Sequence, residues 1–341
     1  VTCDTRRATL SGVEEAPTEF VRRVGYDPGP FDVPPLFQSP PRPLRMIRWM
    51  VTSFMWPQSL AWIGLAALTY HLFTPAIGRF ATLGPVDVGL LWVRNVVLML
   101  VVIGGQHWYL YIRRSQGSAY KYNPSWLATD RASFTFGHQT RDNMFWTLVS
   151  GGGIAALVEA IMFSLYANGS IPQLEALWAI ALMTLAVFWI EGVHFYVNHR
   201  VLHLGPMYRW AHSLHHRNVN TGPWSGISMH PIEHVLYLSL PFVFIVVPGS
   251  PFIATFCLVY LMISPSPSHS GFDRFEVGPV SIHGGDYFHY LHHRYFECNY
   301  GMLLFPLDKW FGSFHDGSAD AHRAMRERRA EARRVAGTSA R

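Results

Sequence analysis

The chain has 341 residues, half of them hydrophobic and only 14% charged, with a formal net charge of +5. That composition fits a polytopic membrane protein, whose many aromatics gather at bilayer interfaces, better than a soluble enzyme. The basic residues are almost all Arg, with Lys only at Lys121 and Lys309. They sit beside apolar segments and in the tail, which excludes a nucleic-acid partner and suits contact with the lipid bilayer.

Residues 1–44 are polar and Pro-rich and read as an irregular cytosolic arm. The opening VTCDTRRATLSGVEEAP has no apolar stretch, so no cleavable signal peptide is expected and the first apolar helix is expected to serve targeting. Cys3, Cys257 and Cys298 are far apart and odd in number, which predicts neither a disulfide framework nor a CxxC zinc motif.

Four long apolar stretches follow within 45–198, at roughly 50–73, 87–111, 143–167 and 175–198. Each is long enough to cross about 30 Å of hydrocarbon as a helix. The loops predict the orientation. Arg42, Arg45 and Arg48 precede the first span, and Arg113, Arg114, Lys121, Arg131 and Arg141 follow the second. The loop after the first span has only Arg79, and NGSIPQ after the third has no basic residue. The N-terminus, the 112–142 loop and everything after residue 198 are therefore expected on the cytosolic side. A shorter apolar region, 235–265, is broken by Pro248, Gly249 and Pro251 and reads as a hairpin that returns the chain to that side. The expected fold is all-α: a membrane helical bundle of four long helices plus the hairpin, with a cytosolic His-rich cap. Residues 199–315, which include the hairpin, are expected to form a His-rich region, and 316–341 a basic tail read as a short helix or solvated charge run.

Thirteen of the 18 His lie between His194 and His293. HRVLH places His199 and His203 four apart at the end of the fourth span. HSLHH contributes His212, His215 and His216, and HYLHH contributes His289, His292 and His293. On a helix each triplet is expected to face one way, so that three helical faces meet around a shared centre. Imidazole suits iron, zinc or copper. Eight His overfill a four-coordinate zinc site and match two ions, each with several nitrogen ligands. The ExxH pattern of carboxylate-rich di-iron bundles is absent.

These motifs, together with HPIEH (230–234), HSGFD (269–273) and HYLHHRYFECNYG (289–301), resemble the fatty acid hydroxylase superfamily, also called the sterol desaturase family. The resemblance covers about 175–312. It implies a membrane-bound non-haem di-iron centre with two Fe ions, O2 as oxidant, an apolar lipid substrate, and a separate electron donor of ferredoxin or cytochrome b5 type with its reductase. It assigns the eight motif His as metal ligands, with His269 as a ninth. Asp273 stands where related hydroxylases carry a further His, so it is a candidate ligand or an orienting group. Glu233 and Asp286 are candidates to hold His N–H groups.

His230 and His234 read more readily as helix capping and polar packing than as ligands. His283, before a Gly-Gly turn, reads as a ligand or a cleft-lining residue. Asn299 forms a turn or holds a water near the metal. His194 lies on a different face of its helix from His199. His71, His107, His138, His315 and His322 are expected to be interfacial or exposed. The implied reaction is hydroxylation of an unactivated lipid C–H bond, with desaturation at the same site as the close rival. A membrane metal transporter is the alternative of another class. It requires acidic or His residues along a path inside several spans, and these spans mostly lack them.

Overall fold

The computed structural model describes residues 25–339, so the first 24 residues of the expected arm lie outside the described residues. The helix α1 (Pro43–Trp49) leads towards α2 (Leu60–Phe73), but the path between them breaks at Trp56 (φ −107°, ψ 134°). Pro57 causes the break, because the residue before a proline is forced out of helical geometry. The first expected span, 50–73, is therefore not one continuous helix. Its regular part has 14 residues, about 21 Å at 1.5 Å per residue.

Three expected spans form as long helices: α3 (Pro85–Ile112), α4 (Gln139–Ala167) and α5 (Leu177–Leu202). After α5 a tight turn leads into α6 (205–216) and then α7 (Pro231–Tyr237). The 235–265 region differs from a symmetric hairpin. Its first leg is α7 and a 3₁₀ stretch, Leu240–Ile245, whereas its second leg, α8 (Pro251–Ser268), is the fourth helix long and apolar enough to cross a membrane. The Ser250 hydroxyl accepts from the Ile253 amide at 3.3 Å and Pro251 occupies the first turn, so the Pro-Gly-Ser-Pro break is a helix start. Gly249 is required there: a Cβ would lie 2.7 Å from both the Phe244 ring and the Tyr166 hydroxyl.

α8 is the core helix. In its apolar window 78% is buried, against 28% for α3, and α2, α3, α4 and α5 all pack on it. Phe188 of α5 meets Phe256 and Tyr260 of α8 edge-on, at 5.4 and 5.1 Å between ring centres. A buried polar cluster ties the same helices. Arg94 pairs with Glu159 and donates to Thr74 Oγ1 at 2.8 Å, while Thr255 donates to Glu159 at 2.7 Å. Each of these intramembrane polar groups has a partner, as burial away from water requires.

The cap departs from all-α by one antiparallel hairpin, β1 (Arg274–Val277) and β2 (Val280–His283), in which Arg274 faces His283 across the ladder. Then come α9 (Tyr287–Tyr295), the short α10 (Leu307–Trp310) and α11 (Ala319–Ser339). The described end of the arm is folded along the cap. Tyr26 N donates to Lys121 O at 2.8 Å, and Phe31 packs edge-on against Phe288. The tail is a packed helix rather than a free charge run: Met325 is buried, and Arg329 donates to the Tyr295 carbonyl at 2.7 Å. Lys121, counted above among the loop charges, is buried, with its Nζ bonded to the Asn123 and Ser125 carbonyls. His107, His315 and His322 are also buried, contrary to the expectation that they are interfacial or exposed.

Candidate metal centre

The C-terminal ends of α5, α6 and α8 and the whole of α9 converge at one end of the bundle. Nine His meet there in two groups. His199, His203, His212, His216 and His292 form one, and His215, His269, His289 and His293 the other. Within each group the candidate ligand nitrogens all lie within 4.8 Å of one another. These are the eight motif His and His269.

The triplets do not each face one way, as the spacing alone suggested. In HSLHH the i,i+4 pair His212 and His216 joins the five-His group, and His215 joins the four-His group. In HYLHH the pair His289 and His293 joins the four-His group, and His292 the five-His group. Residues three and four along a helix differ by about 100° in direction, so each triplet feeds both groups, in opposite proportions. His199 and His203 complete the first group, and His269, from the end of α8, completes the second.

The nitrogen spacing fits shared ions. His212 Nε2 lies 3.1 Å from Nε2 of both His199 and His203, and His292 Nε2 lies 3.0 Å from His216 Nε2 and 3.2 Å from His203 Nε2. In the second group His269 Nε2 lies 3.1 Å from both His289 and His293 Nε2. Two imidazole nitrogens bonded at 2.0–2.1 Å on adjacent corners of one ion stand about 3 Å apart.

The protons point to the same chemistry. His199 Nδ1 donates to the Tyr300 carbonyl (2.6 Å), His292 Nδ1 to the Cys298 carbonyl (2.7 Å) and His269 Nδ1 to the Pro265 carbonyl (2.9 Å). His212 Nδ1 donates to Glu233 Oε1 at 2.8 Å. A carbonyl only accepts, so the proton is on Nδ1 and the Nε2 lone pair faces the centre. Lone pairs converging at 3.1 Å repel one another, and a cation between them removes that repulsion. Burial also keeps the rings neutral, the form that binds metal. It holds His203 at about 2, His212 and His289 at about 3 and His215 at about 4, and pushes His216, His269, His292 and His293 well down. It pushes the Glu233 carboxyl up to about 7.

The remaining candidates are placed as follows. Asp286 caps α9 by accepting from His289 N at 3.0 Å, and burial raises it to about 6. Asp273 accepts from Tyr122 at 3.1 Å and belongs to neither His group. His283 is 3.7 Å from Asp273 with its side chain 72% exposed on β2, so it is not brought to the centre. His230 caps α7, its Nδ1 accepting from Ile232 N at 3.3 Å. His234 bridges the Ile227 carbonyl (2.9 Å) and Ser150 (3.0 Å). Asn299 adopts a left-handed turn (φ 55°), donates to the Phe288 and His315 carbonyls, and accepts from His315 N. Its side chain is used in the turn and holds no place at the centre.

Asp308 is a residue that sequence reasoning missed. It accepts from Tyr300 N (2.8 Å), Gly301 N (2.7 Å) and Ser313 Oγ (2.6 Å), and so holds the turn whose Tyr300 carbonyl orients His199. One acid in a loop carries no spacing signal that would single it out.

The two groups open on a cavity of about 370 Å³, lined by His199, His212, His215, His269 and His289 and otherwise by side chains such as Phe54, Trp62, Phe195 and Tyr260. A mostly apolar cavity with convergent polar groups at one end is the form of a small-molecule binding site.

Residues 183–313 match the family model described as fatty acid hydroxylase. That segment contains both His groups in full. Over that segment the chain is similar to the fatty acid hydroxylase family. It is 28% identical over 164 residues to the Delta(7)-sterol 5(6)-desaturase ERG3B of Gibberella zeae, covering 44% of this chain and 48% of that protein. It is 32% identical over 133 residues to a Dictyostelium discoideum protein named as a methylsterol monooxygenase, covering 37% and 48%. It is 31% identical over 150 residues to the very-long-chain aldehyde decarbonylase GL1-11 of Oryza sativa subsp. indica, covering 41% and 55%. The chain spans about half the length of the curated relatives it matches. No solved structure matches it.

Proposed function

We propose that this chain is an integral-membrane di-iron monooxygenase that uses O2 and electrons from a separate donor protein to hydroxylate an unactivated C–H bond of a lipid. The observation that carries the proposal is the pair of His groups, five and four, opening together on one apolar cavity. Nine imidazoles exceed a four-coordinate zinc site and suit two ions of a metal that accepts nitrogen ligands. Iron, when held there, supplies the redox chemistry with O2.

The chain's own residues do the rest. His199, His212, His269 and His292 present fixed lone pairs because their Nδ1 protons are engaged. Phe54, Trp62, Phe195 and Tyr260 exclude water from the cavity and hold an apolar chain or ring against the His-lined end. The loop charges favour placing both termini and the metal centre on the cytosolic side, where a ferredoxin or a cytochrome b5 with its reductase is available.

Desaturation is the second reading, favoured by the relatives named as sterol desaturases. The same centre serves both outcomes, and the position of the second C–H bond decides between them.

Lipid profiles of cells expressing the wild type and His215→Ala test the proposal. Loss of a product one oxygen atom heavier than its precursor supports hydroxylation, and loss of a product lacking two hydrogens supports desaturation. Identical profiles with altered metal uptake would sink the enzyme reading.

A further inference from the structure

Three carboxyls line the cavity; Glu233 accepts from His212 and Asp286 caps α9 through the His289 amide, and the third, Glu191, is not used by the metal centre. Glu191 lies eight residues before His199 on α5, about 12 Å along the helix axis and deeper in the bundle. Glu191, Phe195, Asn198, His199 and Leu202 all line the cavity, a spacing that keeps them on one stripe of the helix. Glu191 is 3% exposed, and its Oε2 has no hydrogen-bond partner. Other buried acids nearby are engaged: Glu159 by Arg94 and Thr255, Glu233 by His212, Asp308 by two amides and a hydroxyl. A carboxyl left without a partner inside an apolar cavity is costly, so a ligand that bonds to it gains more than it would from water.

We propose that Glu191 is a specificity-determining residue that docks the hydroxyl of a lipid alcohol at the deep end of the cavity. The inference rests on the lipid-oxidising reading above and narrows its substrate class. The carboxyl accepts from a hydroxyl and, when protonated, also donates to it. The apolar body of the alcohol then runs past Phe195 towards His199, and the distance between Glu191 and the His groups selects which carbon is presented to them. An ammonium headgroup fits less well, because it must shed much more hydration to enter a site walled by Phe54, Trp62 and Tyr260.

Binding to detergent-solubilised, metal-free protein tests this without turnover. The probes are cholesterol and hexadecan-1-ol, each against its own methyl ether, with hexadecylamine as the cationic control. In the wild type at least one alcohol is expected to bind about tenfold or more tighter than its ether. Glu191→Gln keeps a donor and an acceptor and retains most of that preference, whereas Glu191→Leu abolishes it. Glu191→Leu is expected to unfold at no lower temperature than the wild type, since it removes an unpartnered buried polar group. Equal binding of alcohol and ether in the wild type for both pairs would overturn the proposal. So would a preference that survives in Glu191→Leu, or hexadecylamine binding tighter than hexadecan-1-ol. If Glu191→Leu fails to fold, Glu191→Met takes its place, and failure of both would make the carboxyl structural and overturn the proposal. Because no metal or reaction is involved, failure here leaves the oxidation reading to be judged by the lipid profiles.

Discussion

His212 donates its Nδ1 proton to Glu233 at 2.8 Å, and this one contact fixes which nitrogen of His212 faces the five-His group. Glu233 lies on α7 and His212 on α6, so the contact also locks two short helices together. Replacing Glu233 with Ala frees the ring and removes the acceptor that raises its basicity. Metal affinity of the five-His group is expected to fall by about 10–100-fold while the four-His group is spared. Competition against a chelator, followed site by site, checks this, and an equal loss at both groups would contradict it.

His215 and His216 are adjacent in sequence and serve different groups. His215→Ala leaves three His in its group, whereas His216→Ala leaves four. Metal retained after a fixed chelator challenge is expected to drop further for His215→Ala, with each variant keeping its untouched group loaded. If both variants lost the same ion, the division of the motif would be wrong.

The acid response follows from the same burial. His203, His212, His215 and His289 are held at about 2, 3, 4 and 3, below the ordinary 6.5 that they regain on unfolding. Between about pH 4 and 6.5 the unfolded chain therefore binds more protons than the folded one, and stability is lost as pH falls through that window. The unfolding temperature of metal-free protein should decline from about pH 6.5 to about pH 4 and be restored by bound metal. A flat profile would contradict the buried, neutral state of these rings.

Asp308→Ala strips the acceptor from Tyr300 N, Gly301 N and Ser313 Oγ. Leaving buried donors unsatisfied is expected to cost at least about 2 kcal/mol. The same change displaces the Tyr300 carbonyl that orients His199, so metal affinity falls with stability. Asp308→Asn, which keeps one acceptor, is expected to recover part of both in thermal unfolding and metal titration. A stable Asp308→Ala protein with unchanged affinity would remove Asp308 from the account.

Much of the centre was legible because helical spacing is legible. HxxxH and two HxxHH motifs after an apolar span point to convergent imidazoles, and His269 follows from the resemblance. The division between two groups was not legible. It depends on how α6 and α9 face each other, and the 3-versus-4 spacing takes opposite sides only once both helices are placed. The carbonyls of Tyr300, Cys298 and Pro265 were invisible, since any residue supplies a carbonyl. The broken first span is readable in hindsight from Pro57, which lies inside an otherwise apolar stretch. Lys121 reads as a loop charge from its neighbours, yet the Asn123 and Ser125 carbonyls and the rings of Tyr111, Trp126 and Phe272 enclose it.

The most direct test of the central claim is the metal content of protein purified from iron-replete cells. Two His groups that each hold an ion predict about two irons per chain, falling to about one when His269 and His289 are both replaced by Ala. A single tightly held zinc per chain, unchanged in that double variant, would contradict the account.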